Sequence, residues 1–236
     1  MTDHDCGHTH TTTSRLNWLR AGVLGALDGI ISIAAIILGV SAGSDNIRFL
    51  ILSAVSALVA GSLSMAFGEY LSVSSQTDSY QADIKKEIDE HNKGPEARRR
   101  ELDELVDIYI ERGLSPTLAR TVAIELSKDD PVRAHVRDEL GINVHDFVSP
   151  FQAAFSSCIA FFLGGLLPAL TLFIPNSLTR MITLVCVSEF LFVVIALTSC
   201  RLGAGNGYLR VIFRLLVGGS LALGITYGAG KITSLI

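Results

Sequence analysis

The sequence predicts an all-α integral membrane protein: five transmembrane helices, with an acidic helical bundle inserted between the second and third and facing the cytosol. Three observations carry this. Of 236 residues, 49% are apolar and the mean hydropathy is +0.45, too high for a soluble domain of this length. Five windows, 16–40, 47–73, 151–173, 181–200 and 209–232, approach or exceed the roughly 20 apolar residues that a spanning helix needs. Finally, residues 78–146 hold 17 of the 23 acidic and 11 of the 19 basic residues, a net charge of −6, which leaves the rest of the chain almost uncharged. The organisation expected is a flexible tail over 1–15, two spans within 16–77, an acidic module over 78–148 and three spans within 149–236.

The tail is polar, and its Asp3, His4, Asp5, Cys6, His8 and His10 are good transition-metal ligands at close spacing. A solvated end is the equally open reading. No cleavable signal peptide is expected, because the first apolar stretch is long and no small-residue cleavage site follows a short core. The second span has no proline until Pro95, and Gln81, Ala82, Lys85, Lys86 and Glu87 keep helix character, so one long helix is predicted to run on until Gly94-Pro95 stops it. Helices over 96–112, from Ser115-Pro116 to 128, and from Asp130-Pro131 to Gly141 complete the insert.

Orientation follows from Lys and Arg near the span ends. Arg15, Arg20, Arg201, Arg210, Arg214 and the insert fall on one side, whereas only Arg48, Arg180 and Lys231 fall on the other. The N-terminus and acidic module are therefore expected in the cytosol and the C-terminus outside. Cys158, Cys186 and Cys200 lie in or at the end of spans without the spacing of a zinc or redox motif, and read as small apolar filler.

A carboxylate near the middle of a span costs roughly 2.5–3.5 kcal/mol on insertion scales, so it reads by default as a functional group facing the bundle or a wet path. Asp28 is that residue in the first span, between Gly25 and Gly29, which admit a close neighbouring helix; a carboxylate bonded for packing is the plainer alternative. In the second span Ser53, Ala57, Gly61, Ser64 and Gly68 form a small-residue stripe suited to helix contact. Beside it Met65 and Glu69, four apart, share a face. A thioether beside a carboxylate suits a borderline divalent transition ion better than Mg²⁺ or Ca²⁺, although methionine alone is often filler. Glu189, in the fourth span, either relays protons or bonds a neighbouring helix.

In the insert, Glu87 and Glu90, Glu101 and Glu104, and His135 and Glu139 are three pairs, each projecting from one face of its helix. Such pairs facing one another across a bundle assemble carboxylate metal sites, while any one of them alone is ordinary on a solvated helix.

At this point the chain resembles the vacuolar iron transporter family, as a bacterial-type member, over essentially its whole length after residue 15. The resemblance rests on Leu27-Asp28-Gly29-Ile30, on the unbroken stretch from Gly61 through Ser64-Met65-Ala66 and Gly68-Glu69-Tyr70 to Ser72, and on Asp138-Glu139-Leu140-Gly141 ahead of Pro150-Phe151-Gln152. It continues in Gly164-Gly165-Leu166-Leu167-Pro168 and in Arg214-Leu215-Leu216-Val217-Gly218-Gly219. It implies a homodimer with a metal path between subunits, and proton-coupled export of Fe²⁺, often with Mn²⁺ and other divalent ions such as Zn²⁺, Co²⁺ and Ni²⁺. Asp28 and Met65 match the family's translocation path, and Glu87, Glu90, Glu101, Glu104 and Glu139 match its cytosolic metal ligands. Two departures stand out. Ala57 replaces an acidic residue of plant members, which bears on coupling or route, and His135 with Val136 replaces methionines, which bears on ion preference.

The function expected is therefore metal/H⁺ antiport of Fe²⁺ or Mn²⁺ out of the cytosol by a secondary transporter, with no permanently bound cofactor and no nucleic-acid partner. The membrane expected is the bacterial plasma membrane, or the vacuolar one in a eukaryote. Two rivals belong to other classes: a membrane-tethered di-iron carboxylate oxidase, which needs a repeated Glu-x-x-His motif that the insert lacks, and a metal sensor or buffer without transport, which leaves Asp28 unexplained.

Overall fold

The computed structural model describes residues 10–142, 149–201 and 207–235, with side chains from Leu19 onward. The tail tract from Asp3 to His8 lies outside the described residues, and of His10 only the backbone is described. Every regular element among the described residues is helical: α1 His10–Gly43, α2 Ile47–His91, α3 Pro95–Glu111, α4 Pro116–Leu126, α5 Pro131–Asp138, α6 Pro150–Leu170 with a 3-10 turn Thr171–Phe173, α7 Ser177–Ser199 and α8 Tyr208–Thr233. Five of them carry stretches long and apolar enough to cross a membrane: Leu19–Gly43, Ile47–His91, Pro150–Phe173, Ser177–Ser199 and Tyr208–Thr233. The fold is thus all-α with five candidate spans.

Two boundaries differ from the sequence reading. α1 begins at His10, inside the stretch expected to be a flexible tail, because adding residues to an existing helix costs far less than nucleating one. α7 begins at Ser177, four residues before the apolar window, because the Asn176 side chain caps it by accepting from the Thr179 N–H at 2.9 Å. α2, at 45 residues, extends about 67 Å at 1.5 Å per residue, against about 30 Å of hydrocarbon in a bilayer. Apart from Arg48 at its start and Glu69 within it, its charged residues begin at Asp78, so the excess length is the polar end. Gly94 at φ 124° then turns the chain, a conformation that side chains resist, and Pro95 starts α3.

The chain forms two compact units, residues 1–71 with 148–236, and residues 72–147, so α2 contributes to both. In the first, α1 runs beside α6, α7 and α8. Gly29 and Gly164 make its crossing with α6 tight: a Cβ at Gly29 would drive into the Phe161 carbonyl oxygen, and one at Gly164 into that of Ala26. Ile33, Ile37, Leu50, Leu58, Phe161, Leu184 and Leu223 fill the core.

The stripe that α2 buries in its own chain is Leu50, Ala54, Leu58 and Ser62, not the small-residue stripe singled out from sequence. Of that stripe, Gly61 does meet a neighbour, the ring of Phe161, while Ser64 is exposed and Gly68 has open space where a Cβ would be. Leu50, Ala54 and Leu58 enter the core, and the four-residue repeat puts Ser62 on the same face. On other faces of α2, Leu52, Leu63, Phe67 and Leu71 are exposed, Phe67 by 68%.

The second unit has its own core of Leu105, Val106, Tyr109, Ala119, Ala123 and Ala134, contributed by α3, α4 and α5. Asp130 caps α5 by accepting from the Arg133 N–H at 3.0 Å.

Candidate metal centre

The acidic unit gathers side chains from three helices around one imidazole. His135, near the end of α5, has 5% of its side chain exposed. Its Nε2 lies 2.6 Å from Glu139 Oε2, 3.2 Å from Glu101 Oε2, 3.6 Å from Glu87 Oε2 and 3.8 Å from Glu104 Oε2. Despite these near oxygens, the buried Nε2 makes no hydrogen bond. Two overlapping sets, Glu87 with His135 and Glu139, and Glu101 with Glu104 and His135, each bring three ligand atoms within 4.8 Å of one another. Beside them a cavity of about 120 Å³ is lined by Glu87, Glu101 and His135, and also by His91, Arg98 and Ser127.

The local reasons are simple. Glu101 and Glu104 are three apart on α3, and His135 and Glu139 four apart, so each pair shares a face. Glu139 caps the end of α5 with its backbone N–H on the His135 carbonyl, at 2.8 Å, which sets it against the imidazole.

The electrostatics of the cluster are those of a group of acids that could hold a cation. Burial, first, raises the Glu87 and Glu101 carboxyls above their usual value; the neighbouring carboxylates push them the same way and His135 pulls against this. A divalent ion favours the ionised form of all four acids, and carboxylate oxygens with an imidazole nitrogen are ligands suited to first-row transition ions.

A latch that sequence reasoning missed holds α5 in this register. Tyr109 Oη donates to Asp138 Oδ2 at 2.7 Å, and Arg112 donates to Asp138 Oδ1 and to the Asp138 carbonyl, both at 2.6 Å. Arg137 adds a bond at 2.8 Å. Burial alone would push the Asp138 carboxyl up, but the bonds from Arg112, Arg137 and Tyr109 together outweigh it and hold the group below its usual value. The partners lie 26 and 29 residues apart, so no local spacing announces them. The only sequence cue is an acid beside Glu139 in a helix of eight residues.

Glu90, the sixth acidic-unit residue singled out from sequence, stands apart: its carboxylate is paired with Lys93, although its charge still raises Glu101. In the membrane-span unit, half-buried Asp28 accepts from Ser32 Oγ at 3.0 Å, one turn along α1. Met65 packs against the core, and Glu69 is half-buried on the next turn of α2. Among the described residues no hydrogen bond or ion pair joins Asp28 to Glu69. Glu189 on α7 accepts from Ser220 Oγ on α8 at 2.6 Å, the bond to a neighbouring helix that was one of its two sequence readings.

Comparison with known proteins gives the family. Residues 19–231 match the model of the VIT family. The chain is 39% identical over 226 residues to a vacuolar iron transporter of Acanthamoeba castellanii, covering 95% of this chain and 82% of the other. It is 30% identical over 218 residues to vacuolar iron transporter homolog 2.1 of Arabidopsis thaliana, covering 92% and 82%. Over 219 residues it is 28% identical to VIT-like transporter 1b of Glycine max, covering 92% and 77%.

Proposed function

The chain belongs to the VIT family, a family of transporters and not of enzymes, and on that premise we propose that it moves Fe²⁺ or Mn²⁺ out of the cytosol in exchange for protons. The observation that carries this reading is the convergence of four carboxylates on the buried Nε2 of His135 in the acidic unit of a chain with five candidate spans. The acidic unit collects divalent ions by charge and chelation. Ions then reach the level of Asp28 and Met65, where the aspartate replaces part of the hydration shell. Protons arriving from outside compete for Asp28, since a protonated carboxyl is a poor ligand, and the ion is released. Glu69 stands with Met65 in the transport pathway, and Glu189 is the acid on offer to a proton relay.

Two further expectations complete the proposal. The transporter is a homodimer: α2 leaves Ser64, Gly68, Phe67 and Leu71 uncovered by its own chain, a small-residue and apolar surface suited to a second copy. The N-terminus and acidic unit face the cytosol and the C-terminus faces outside, in a bacterial plasma membrane or, in a eukaryotic cell, the vacuolar membrane, because most Lys and Arg near span ends lie on that cytosolic side.

The test is flux of Fe²⁺ and of Mn²⁺ through purified protein in proteoliposomes, with and without an imposed pH gradient. The proposal expects flux of at least one ion that rises with the gradient and moves protons the other way. Metal binding without any flux would replace it with a sensor or buffer.

A further inference from the structure

We propose that His135 is the residue by which the acidic unit selects among divalent ions, rejecting Mg²⁺ and Ca²⁺ and placing Mn²⁺ behind Co²⁺, Ni²⁺ and Zn²⁺; this rests on the reading of the unit as a metal collector. The carboxylates by themselves are hard oxygen donors, and a site made of them alone suits Mg²⁺, Ca²⁺ and Mn²⁺. One nitrogen changes that preference. Imidazole adds little for Mg²⁺ or Ca²⁺, and along the first row its contribution grows from Mn²⁺ towards Ni²⁺ and Cu²⁺, with Zn²⁺ well above Mn²⁺.

The structure gives His135 the position this role requires. Its side chain is 5% exposed, and its Nε2 is common to both three-ligand sets, so an ion held by either set meets the nitrogen. A histidine buried for packing alone would give its ring nitrogen a hydrogen-bond partner, because a buried polar atom left without one costs about 1–3 kcal/mol. This Nε2 has none, while four carboxylate oxygens stand within 4 Å of it and the ring lines the adjacent cavity. An atom so placed is matched to a cation bound by the same oxygens.

The experiment is chelator-competition binding of Mg²⁺, Mn²⁺, Co²⁺ and Zn²⁺ to the full chain in detergent, native and H135Q, with His4, His8 and His10 changed to Ala in both so that the tail does not contribute. In H135Q the affinities for Co²⁺ and Zn²⁺ are expected to fall by about tenfold or more, while those for Mn²⁺ and Mg²⁺ change by less than about threefold. A parallel measurement reads the nitrogen directly and does not depend on how H135Q folds. In the protein that keeps His135 but has His91 and His145 also changed to Gln, so that His135 is its single histidine, ¹⁵N-histidine labelling is expected to show Zn²⁺ shifting the Nε2 resonance. Equal losses for all four ions, or no histidine resonance that responds to Zn²⁺, would overturn the proposal while leaving transport intact. Absence of any metal binding or flux would overturn the transporter reading itself.

Discussion

The two units treat their carboxylates in opposite ways. In residues 72–147, four glutamates and a histidine from three helices meet within 4 Å of one nitrogen, so a single chain completes the cluster. In the membrane-span unit, Asp28 and Glu189 each settle on a serine, and no hydrogen bond or ion pair joins Asp28 to Glu69 among the described residues. On the proposed dimer, the difference assigns the second subunit to the Asp28 level and not to the acidic unit. A chelating cluster gains from many ligands held at once, whereas a translocation step needs a carboxylate that can give up its ion, and few ligands from each chain serve that better. On this account the acidic unit is a site for holding and the Asp28 level a site for passing on.

The sharpest way to break the contrast on the holding side is the double substitution E101Q/E139Q, which removes one charged ligand from each three-ligand set. Metal affinity of the full chain is expected to fall by about 10- to 100-fold, read by chelator competition, with flux at saturating metal much less affected. If affinity is unchanged, the cluster is not the collecting site.

Next in size is the latch. Y109F deletes a hydrogen bond to the Asp138 carboxylate while keeping the ring, and is expected to cost about 1–3 kcal/mol in chemical denaturation of the acidic unit. Metal affinity should fall with it, because α5 carries both His135 and Glu139.

A third test uses pH. Glu87 and Glu101 have carboxyls raised above the usual 4.5, so their contribution to stability is full below that value and is lost as pH rises through the raised values. Asp138, held below its usual 3.8, contributes in the opposite sense, above that value, and its contribution is lost only as pH falls through the lowered one. Metal-free protein is therefore expected to melt at a higher temperature as pH is lowered from about 7 towards 5, and E87Q/E101Q should flatten that slope. Bound metal should reverse the trend, because acid then competes with the ion. A metal-free melting curve indifferent to pH would remove the electrostatic argument for the cluster. The smallest effect is expected from E90Q, less than about threefold in affinity, since Glu90 is engaged by Lys93 and its charge acts only at a distance.

Legibility in the sequence followed the range of the interaction. Helix limits were readable wherever the signal is local: Gly94-Pro95, Ser115-Pro116 and Asp130-Pro131 each mark a chain break at one or two residues, and the observed α3, α4 and α5 start at those prolines. The pairing of Glu101 with Glu104 and of His135 with Glu139 was readable for the same reason, as a consequence of helical pitch. Glu90 shows the limit of that rule. It is three residues from Glu87, yet Lys93, three residues the other way, takes its carboxylate. The Asp138 latch was not readable because its partners are brought together by the packing of α3 on α5. Which stripe of α2 its own chain buries was not readable, because small residues signal a possible helix contact without naming the partner; the chain itself covers Leu50, Ala54, Leu58 and Ser62.

The most direct measurement is a pair of readings on one preparation: metal affinity in detergent and pH-driven flux in proteoliposomes, for the native chain and for D28A. The account expects affinity at the acidic unit to stay within about twofold and flux to fall by about a hundredfold. Flux at the native level in D28A would contradict it, since the ion would then cross without the carboxylate that is said to pass it on.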